Sequence, residues 1–446
     1  MASNPSWKRT AVRLALALAA GVAALPAVKA DDFFIHDGDR VVFLGDSITE
    51  QRLYTTYIEA YALTRHPKWN LWFRNTGWGG DTAWLRQRFH TDEAQLFAAN
   101  EADQEAMIKR SVGYGLDRDV LPLKPTVVTV DFGMNDHLYQ AFRPDVYRAF
   151  IASQEEIGRL LGDNGSRVAY LTPQPIEDKR PDPDQDVRNI SLRKFSDGLR
   201  DVAHDEKGLY ADEFAPYMQT MLHSAAAIGG GHDAVHPGPA GHTIMAWAIL
   251  KALGATPMVS TATLDKETGK VDASDGCQIE NLKTQGDTVS FDRLDEALPM
   301  PVDPRAETAL SLIPFTRELN VYELKIVGLP KGQYTVSIDG DSAATVSADD
   351  LAQGWNLAYS AGPITEQAQK VLKLIFRKND AYYARWRLVQ LFAVPAWLAH
   401  DSQLESVRSA ELARLDTEIQ GLEEKINAAR KPQSRHFLIS PVGSGG

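Results

Sequence analysis

Cysteine is nearly missing from this chain. Cys277 is the single one in 446 residues, so no intramolecular disulfide can form and zinc sites built on thiolates are excluded. Its context, Asp275-Gly276-Cys277-Gln278, is turn-like and reads as an ordinary thiol rather than a nucleophile. Long apolar runs are scarce as well. Past the N-terminus no stretch reaches the ~20 apolar residues that a membrane-spanning helix requires, which argues against stable membrane insertion. Basic charge is in deficit, with 47 Lys and Arg against 59 Asp and Glu and a formal net charge of −12. Phosphate backbones and anionic surfaces are held by clustered Lys and Arg, so nucleic acid is not an expected partner. No internal repeat is present.

What is there is ordinary globular composition, 44% hydrophobic and 24% charged, enough for two domains or for one large domain with additions. At the N-terminus, Lys8, Arg9 and Arg13 precede an apolar run over residues 14–25, and Ala27-Val28-Lys29-Ala30 leads into Asp31-Asp32. A basic start, a short apolar middle and small residues before an acidic stretch read as a secretory signal over 1–30, cleaved near Ala30. The expected location is exported, periplasmic or secreted. The competing reading, an uncleaved anchor, meets an apolar run shorter than a bilayer needs.

From Asp32 to about Leu253, short apolar runs at 41–44, 72–75, 126–132, 167–172 and 208–211 read as strands, with helical segments between them. Strands alternating with helices predict an α/β fold with a mainly parallel sheet covered on both faces. Sites in such sheets form at the carboxyl ends of the strands. After residue 254 the texture changes. Runs at 259–265, 288–291, 322–327 and 334–338 read as strands of a β-rich unit over 255–362. A helical region follows over 363–431, where Leu412, Leu415, Ile419, Leu422 and Ile426 make a heptad stripe of about two repeats. That is too short for a coiled coil and is expected to pack on its own domain. Residues 432–446 are expected to form a loosely held tail.

Four features of the α/β part carry chemistry. In Val41-Val42-Phe43-Leu44-Gly45-Asp46-Ser47-Ile48-Thr49-Glu50, a buried strand turns sharply into a helix at Ser47. A serine there exposes its hydroxyl and sets its amide at a helix N-terminus, which favours negative charge. The simpler reading is that Asp46 or Ser47 caps the helix. Asn75-Thr76-Gly77-Trp78-Gly79-Gly80-Asp81-Thr82 is a loop whose glycines let backbone amides approach a bound atom. Gly133-Met134-Asn135-Asp136 places an amide side chain just past a strand, although Asn and Asp also merely shape turns. His232-Asp233-Ala234-Val235-His236-Pro237 precedes a helical segment, and a carboxylate three residues before an imidazole can support it. His232, Asp233, His236 and His242 could alternatively hold a metal.

Together these four blocks, in order over roughly residues 38 to 254, resemble the SGNH (GDSL-type) hydrolase family. The resemblance implies a three-layer α/β sandwich and an esterase working through an acyl-serine intermediate. It makes Ser47 the nucleophile, His236 the general base and Asp233 its orienter. The oxyanion hole would comprise the amides of Ser47 and Gly80 and the side chain of Asn135. It requires no cofactor and no metal. The chemistry is consistent with the residue types: a serine hydroxyl attacks esters poorly unless a base takes its proton, and imidazole titrates in the range suited to that task. Trp78 and Trp84, flanking Gly80, are candidate platforms for sugar or aryl groups. His137 is a candidate substrate contact, with a surface histidine as the default.

The runs Leu329-Pro330-Lys331-Gly332-Gln333-Tyr334, Gly354-Trp355-Asn356 and Arg385-Trp386-Arg387 resemble a C-terminal extension of exported bacterial members, many associated with polysaccharides. The leading expectation is removal of O-acetyl groups from carbohydrate, with a small-molecule or polysaccharide ester as the partner. The alternatives are a lipid or aryl esterase, or a glycan-binding protein with an accessory hydrolase domain. The pattern specifies no oligomeric state.

Overall fold

The computed structural model describes residues 33–178, 181–224, 228, 233–398 and 400–443. The expected signal segment and His232 lie outside them. Five strands, β1 (Arg40–Gly45), β2 (Trp72–Asn75), β3 (Val127–Asp131), β4 (Arg167–Leu171) and β5 (Leu209–Ala211), form one sheet in the order β2-β1-β3-β4-β5. Every pairing in it is parallel. Alternate side chains of these strands feed two separate cores. Val41, Phe43, Phe73, Val127 and Leu171 enter the first, with Tyr57, Ile58, Ile244 and Ile249. Val42, Leu44, Val128, Val130 and Val168 enter the second, with Val112, Leu116, Ile157 and Leu199. A sheet apolar on both faces must be covered on both, and each such side chain contributes about 1.5–3 kcal/mol on burial. The result is a three-layer α/β sandwich.

The carboxyl end of β1 is set by Gly45. A Cβ there would come within 2.7 Å of the Asp131 carbonyl on neighbouring β3, so the strand can end in this tight turn only as glycine. Asp46 then caps the helix Ser47–Glu50, its Oδ1 accepting from the Ile48 amide at 2.9 Å. The capping role therefore falls to Asp46, and the Ser47 hydroxyl is left for other work. After a left-handed Arg52 (φ 61°), the helix Leu53–Arg65 runs back along the sheet, almost wholly buried.

Beyond residue 254 lie two further sheets. One holds β6 (Met258–Asp265), β7 (Lys270–Asp275), β10 (Val321–Val327) and β13 (Trp355–Asn356) in the order β13-β10-β6-β7. The other holds β8 (Cys277–Gln285), β9 (Thr288–Asp295), β11 (Gln333–Ile338), β12 (Asp341–Ser347) and β14 (Arg435–Pro441), in the order β12-β11-β14-β9-β8. Strand β14 corrects the expectation of a loose tail from residue 432. It is paired on both edges, with β11 and β9, and buries Phe437 and Ile439 in a third core. Cys277 is buried there too.

The helices Pro363–Tyr383 and Leu404–Ala429 pack on each other and on the α/β layer rather than forming a body of their own. Val371, Ile375 and Tyr382 of the first helix, and Ile419, Leu422 and Ile426 of the second, share the core that contains Phe43 and Tyr57. The heptad stripe is thus spent within the molecule; Leu412, at its start, is only partly buried. No helix among the described residues is long and apolar enough to cross a membrane.

Candidate active site

The loops after β1, β2 and β3 converge at the carboxyl edge of the sheet, and the segment before the helix Pro239–Ala252 meets them there. The Ser47 hydroxyl lies 2.9 Å from His236 Nε2. On the other side of the ring, Nδ1 lies 3.0 Å from Asp233 Oδ2 and 3.1 Å from Oδ1. A carboxylate can only accept, so Nδ1 carries the proton and Nε2 is the acceptor for the Ser47 O–H. Asp233 also winds its own loop into place, since its Oδ1 accepts from the amides of Val235 and His236 at 2.8 and 2.9 Å. Partial burial opposes ionisation of this carboxyl, but the His236 amide and ring and the Val235 amide outweigh it and hold it below the usual range. Asp233 sets a carboxylate directly behind the imidazole. These contacts bring Ser47 to the Asp233–His236 loop, 189 positions from His236 in the chain.

The glycine loop comes next. The Gly77 amide donates to Asn75 Oδ1 at 2.9 Å and the Gly79 amide to Glu50 Oε2 at 2.9 Å. Gly80, at φ +76°, has an amide with no acceptor among the described residues. Of the three glycines it is the one with a donor to offer. Asn135 is buried, and its Nδ2 donates to the Asp81 carbonyl at 2.9 Å and faces Asp46 Oδ2 at 3.4 Å. The amide thus clips the glycine loop to the turn that carries Ser47. Its second hydrogen makes only the long contact to Asp46, which leaves it usable toward a developing negative charge.

Tyr139 was not legible in advance. Its hydroxyl donates to Asn135 Oδ1 at 2.8 Å and so fixes which way the amide points. It reaches there because Leu138 and Tyr139 both adopt left-handed backbone (φ 56° and 55°), a conformation costly for such residues and without a sequence signature. Asp136 braces the same block, accepting from Ala83 N at 2.8 Å and Gly133 N at 2.9 Å. Asp81 is held in a buried ion-pair chain through Arg88 to Asp119, each contact 2.8 Å. Burial raises the carboxyls of Asp131 and Asp136 to about 7. Asp46 is raised as well, by burial and then by neighbouring Asp131. Like charges confined in a core disfavour each other's ionisation.

Four residues singled out in the sequence sit in surroundings that the sequence did not foretell. Trp84 does not flank the site; it is fully buried against Phe97, with its ring N–H on Glu93 at 3.1 Å. Trp78 is half-buried, with the Arg387 guanidinium 3.7 Å from the centre of its ring and Trp386 edge-on at 6.0 Å. One face is therefore already occupied by the protein itself. His137 is buried rather than on the surface, with Nδ1 3.2 Å from the Gly133 carbonyl, and burial pushes it down to about 4. His242, a member of the alternative metal set, is buried against the Tyr54 ring and bonded to Gln51 at 2.7 Å. Burial lowers it to about 3.

Residues 43–244 match the GDSL-like Lipase/Acylhydrolase family. An acetylxylan esterase from Geobacillus stearothermophilus is 23% identical over 246 residues, which cover 49% of this chain and 96% of that protein. A crystal structure of an acetylxylan esterase from the same organism aligns with a TM-score of 0.39 at 21% identity, covering 49% of this chain and 96% of the other. A gut microbial diltiazem-metabolizing enzyme aligns with a TM-score of 0.74 at 25% identity, covering 92% of this chain and 98% of its own. That last likeness extends through the C-terminal sheets and helices as well as the α/β layer.

Proposed function

Residues 43–244 place this chain in the GDSL-like lipase/acylhydrolase family, and on that premise we propose that it is a serine esterase acting chiefly on O-acetyl groups of carbohydrate. The observation that carries the catalytic part is the unbroken relay from the Ser47 hydroxyl through His236 to Asp233. His236 Nε2 takes the hydroxyl proton as Ser47 Oγ adds to the ester carbonyl. The resulting oxyanion is met by the amides of Ser47 and Gly80 and by Asn135. Collapse of the adduct returns the proton from Nε2 to the departing alcohol and leaves an acyl-serine. Water, deprotonated by the same nitrogen, then adds to the acyl carbon, and the carboxylic acid leaves with Ser47 restored. Asp233 keeps the proton on Nδ1 throughout and balances the imidazolium.

The acetyl-carbohydrate part rests on likeness to an acetylxylan esterase over 49% of the chain. A second reading, hydrolysis of small aryl or other small-molecule esters, is favoured by the likeness over 92% of the chain to an enzyme that metabolises diltiazem. Export, with cleavage near Ala30, belongs to the same proposal and rests on the basic and apolar pattern of residues 1–30. Substrate class is tested by comparing acetate release from acetylated xylo-oligosaccharides with cleavage of p-nitrophenyl acetate, butyrate and octanoate. Each added methylene can shift discrimination by tenfold or more, so kcat/KM is expected to fall at least about tenfold from acetate to octanoate. A preference for octanoate would overturn the acetyl reading. Fast p-nitrophenyl acetate turnover with no release from the oligosaccharides would favour the small-molecule reading.

A further inference from the structure

Glu50 ends the short helix that Ser47 begins, and three parts of the fold meet at its carboxylate. Oε2 accepts the Gly79 amide at 2.9 Å. The approach is close: a Cβ on Gly79 would lie 2.7 Å from that oxygen and 4.0 Å from Ser47 Cβ. Oε1 faces the Tyr383 hydroxyl at 3.3 Å and Arg387 Nε at 3.7 Å. Both residues come from the far end of the chain, where the helix Pro363–Tyr383 gives way to a π-helical turn, Ala384–Gln390. Such turns re-aim side chains and recur at functional sites. Here the turn lays the Arg387 guanidinium over Trp78, the residue just before Gly79, and sets Trp386 against the edge of the same ring. From the other side, Arg52 stacks on Tyr383 at 4.2 Å and bonds Asp380 at 3.3 Å.

Resting on the assignment of Ser47 as nucleophile, we propose that Glu50 is a positioning residue for ester hydrolysis and that the C-terminal π-helical turn is a working part of the active site. Glu50 holds the Gly79-Gly80 loop against the nucleophile, so that the Gly80 amide faces the carbonyl oxygen that becomes negative. Arg387 and Tyr383 hold Glu50, and Arg387 also holds Trp78 from above. The C-terminal extension therefore sets the geometry of the oxyanion site from 300 residues away in sequence, a role distinct from binding glycan. Arg387 and Glu50 are both partly exposed, and pairs of that kind contribute little to stability. Their value would lie in placement, where an error of about 1 Å can cost about a hundredfold in rate.

The test is a double-mutant cycle on the full chain with p-nitrophenyl acetate, run beside Ser47→Ala. Glu50→Ala is expected to lower kcat by about a hundredfold with KM nearly unchanged, the signature of a lost transition-state donor. Glu50→Gln, which keeps an oxygen for the Gly79 amide, should recover most of that loss. Arg387→Ala should lower kcat by about tenfold in the native background and by clearly less in Glu50→Ala, where only its hold on Trp78 is left to lose. Losses that simply multiply, a change confined to KM, or a Glu50→Gln variant as slow as Glu50→Ala would overturn the proposal. An active Ser47→Ala variant would instead remove the nucleophile assignment on which it rests.

Discussion

Ser47→Ala is expected to lower kcat for p-nitrophenyl acetate by about a million-fold, the scale seen when a serine hydrolase loses its nucleophile. What survives should be the slow reaction of water in a site whose oxyanion donors are intact. The same variant should fold normally. The helix start depends on Asp46, whose carboxyl accepts the Ile48 amide at 2.9 Å, and not on the serine. The hydroxyl gives up only its bond to His236, worth about 1 kcal/mol net. Circular dichroism should therefore match the native chain, and the unfolding midpoint should shift by no more than that one bond, while turnover vanishes. Retained turnover would remove Ser47 from the mechanism.

The second large effect concerns the seam between the C-terminal helices and the α/β layer. Lys378 Nζ lies 2.7 Å from Glu59 Oε1, and both side chains are almost fully buried. Asn379 adds bonds to Thr56 at 2.9 Å and to Glu59 Oε2 at 3.1 Å. Burial alone lowers the Lys378 ammonium and raises the Glu59 carboxyl, and each is the main counterweight for the other. Lys378→Ala would strand a carboxylate in the core, and breaking a buried pair from one side costs roughly 3–5 kcal/mol. The denaturant midpoint should drop accordingly. Lys378→Met combined with Glu59→Leu should restore most of the loss, since a well-packed apolar pair can replace a buried ion pair at little cost. If the single substitution left stability unchanged, the helices would not be anchored by this contact.

The parallel sheet and four convergent loops were legible because each depends on local pattern. The buried run at 41–44 ends at a glycine that admits no Cβ, and the loops after β1, β2 and β3 lie at the same edge of the sheet. The spacing of Asp233 and His236 by three residues also suffices to place a carboxylate behind an imidazole. What escaped depends on contacts between distant segments. Nothing around Trp78 announces that Arg387, some 300 positions later, covers its ring. Nothing around Trp84 distinguishes a ring pointing into the second core from one beside the nucleophile. Tyr139 reaches Asn135 only through two successive left-handed residues. Strand β14 did carry a signal, the short apolar run Phe437-Leu438-Ile439, but Pro432 and the final glycines masked it. Glu50 lay in plain view in the first block, and its role appeared only with the glycine loop folded against it.

The central claim is that Ser47, activated by His236, becomes covalently acylated. An active-site-directed fluorophosphonate, followed by peptide mapping by mass spectrometry, tests it most directly. The expected result is one adduct per chain, on Ser47, appearing in step with the loss of esterase activity and absent from Ser47→Ala. Complete inactivation with Ser47 unmodified, or an adduct on another residue, would contradict it.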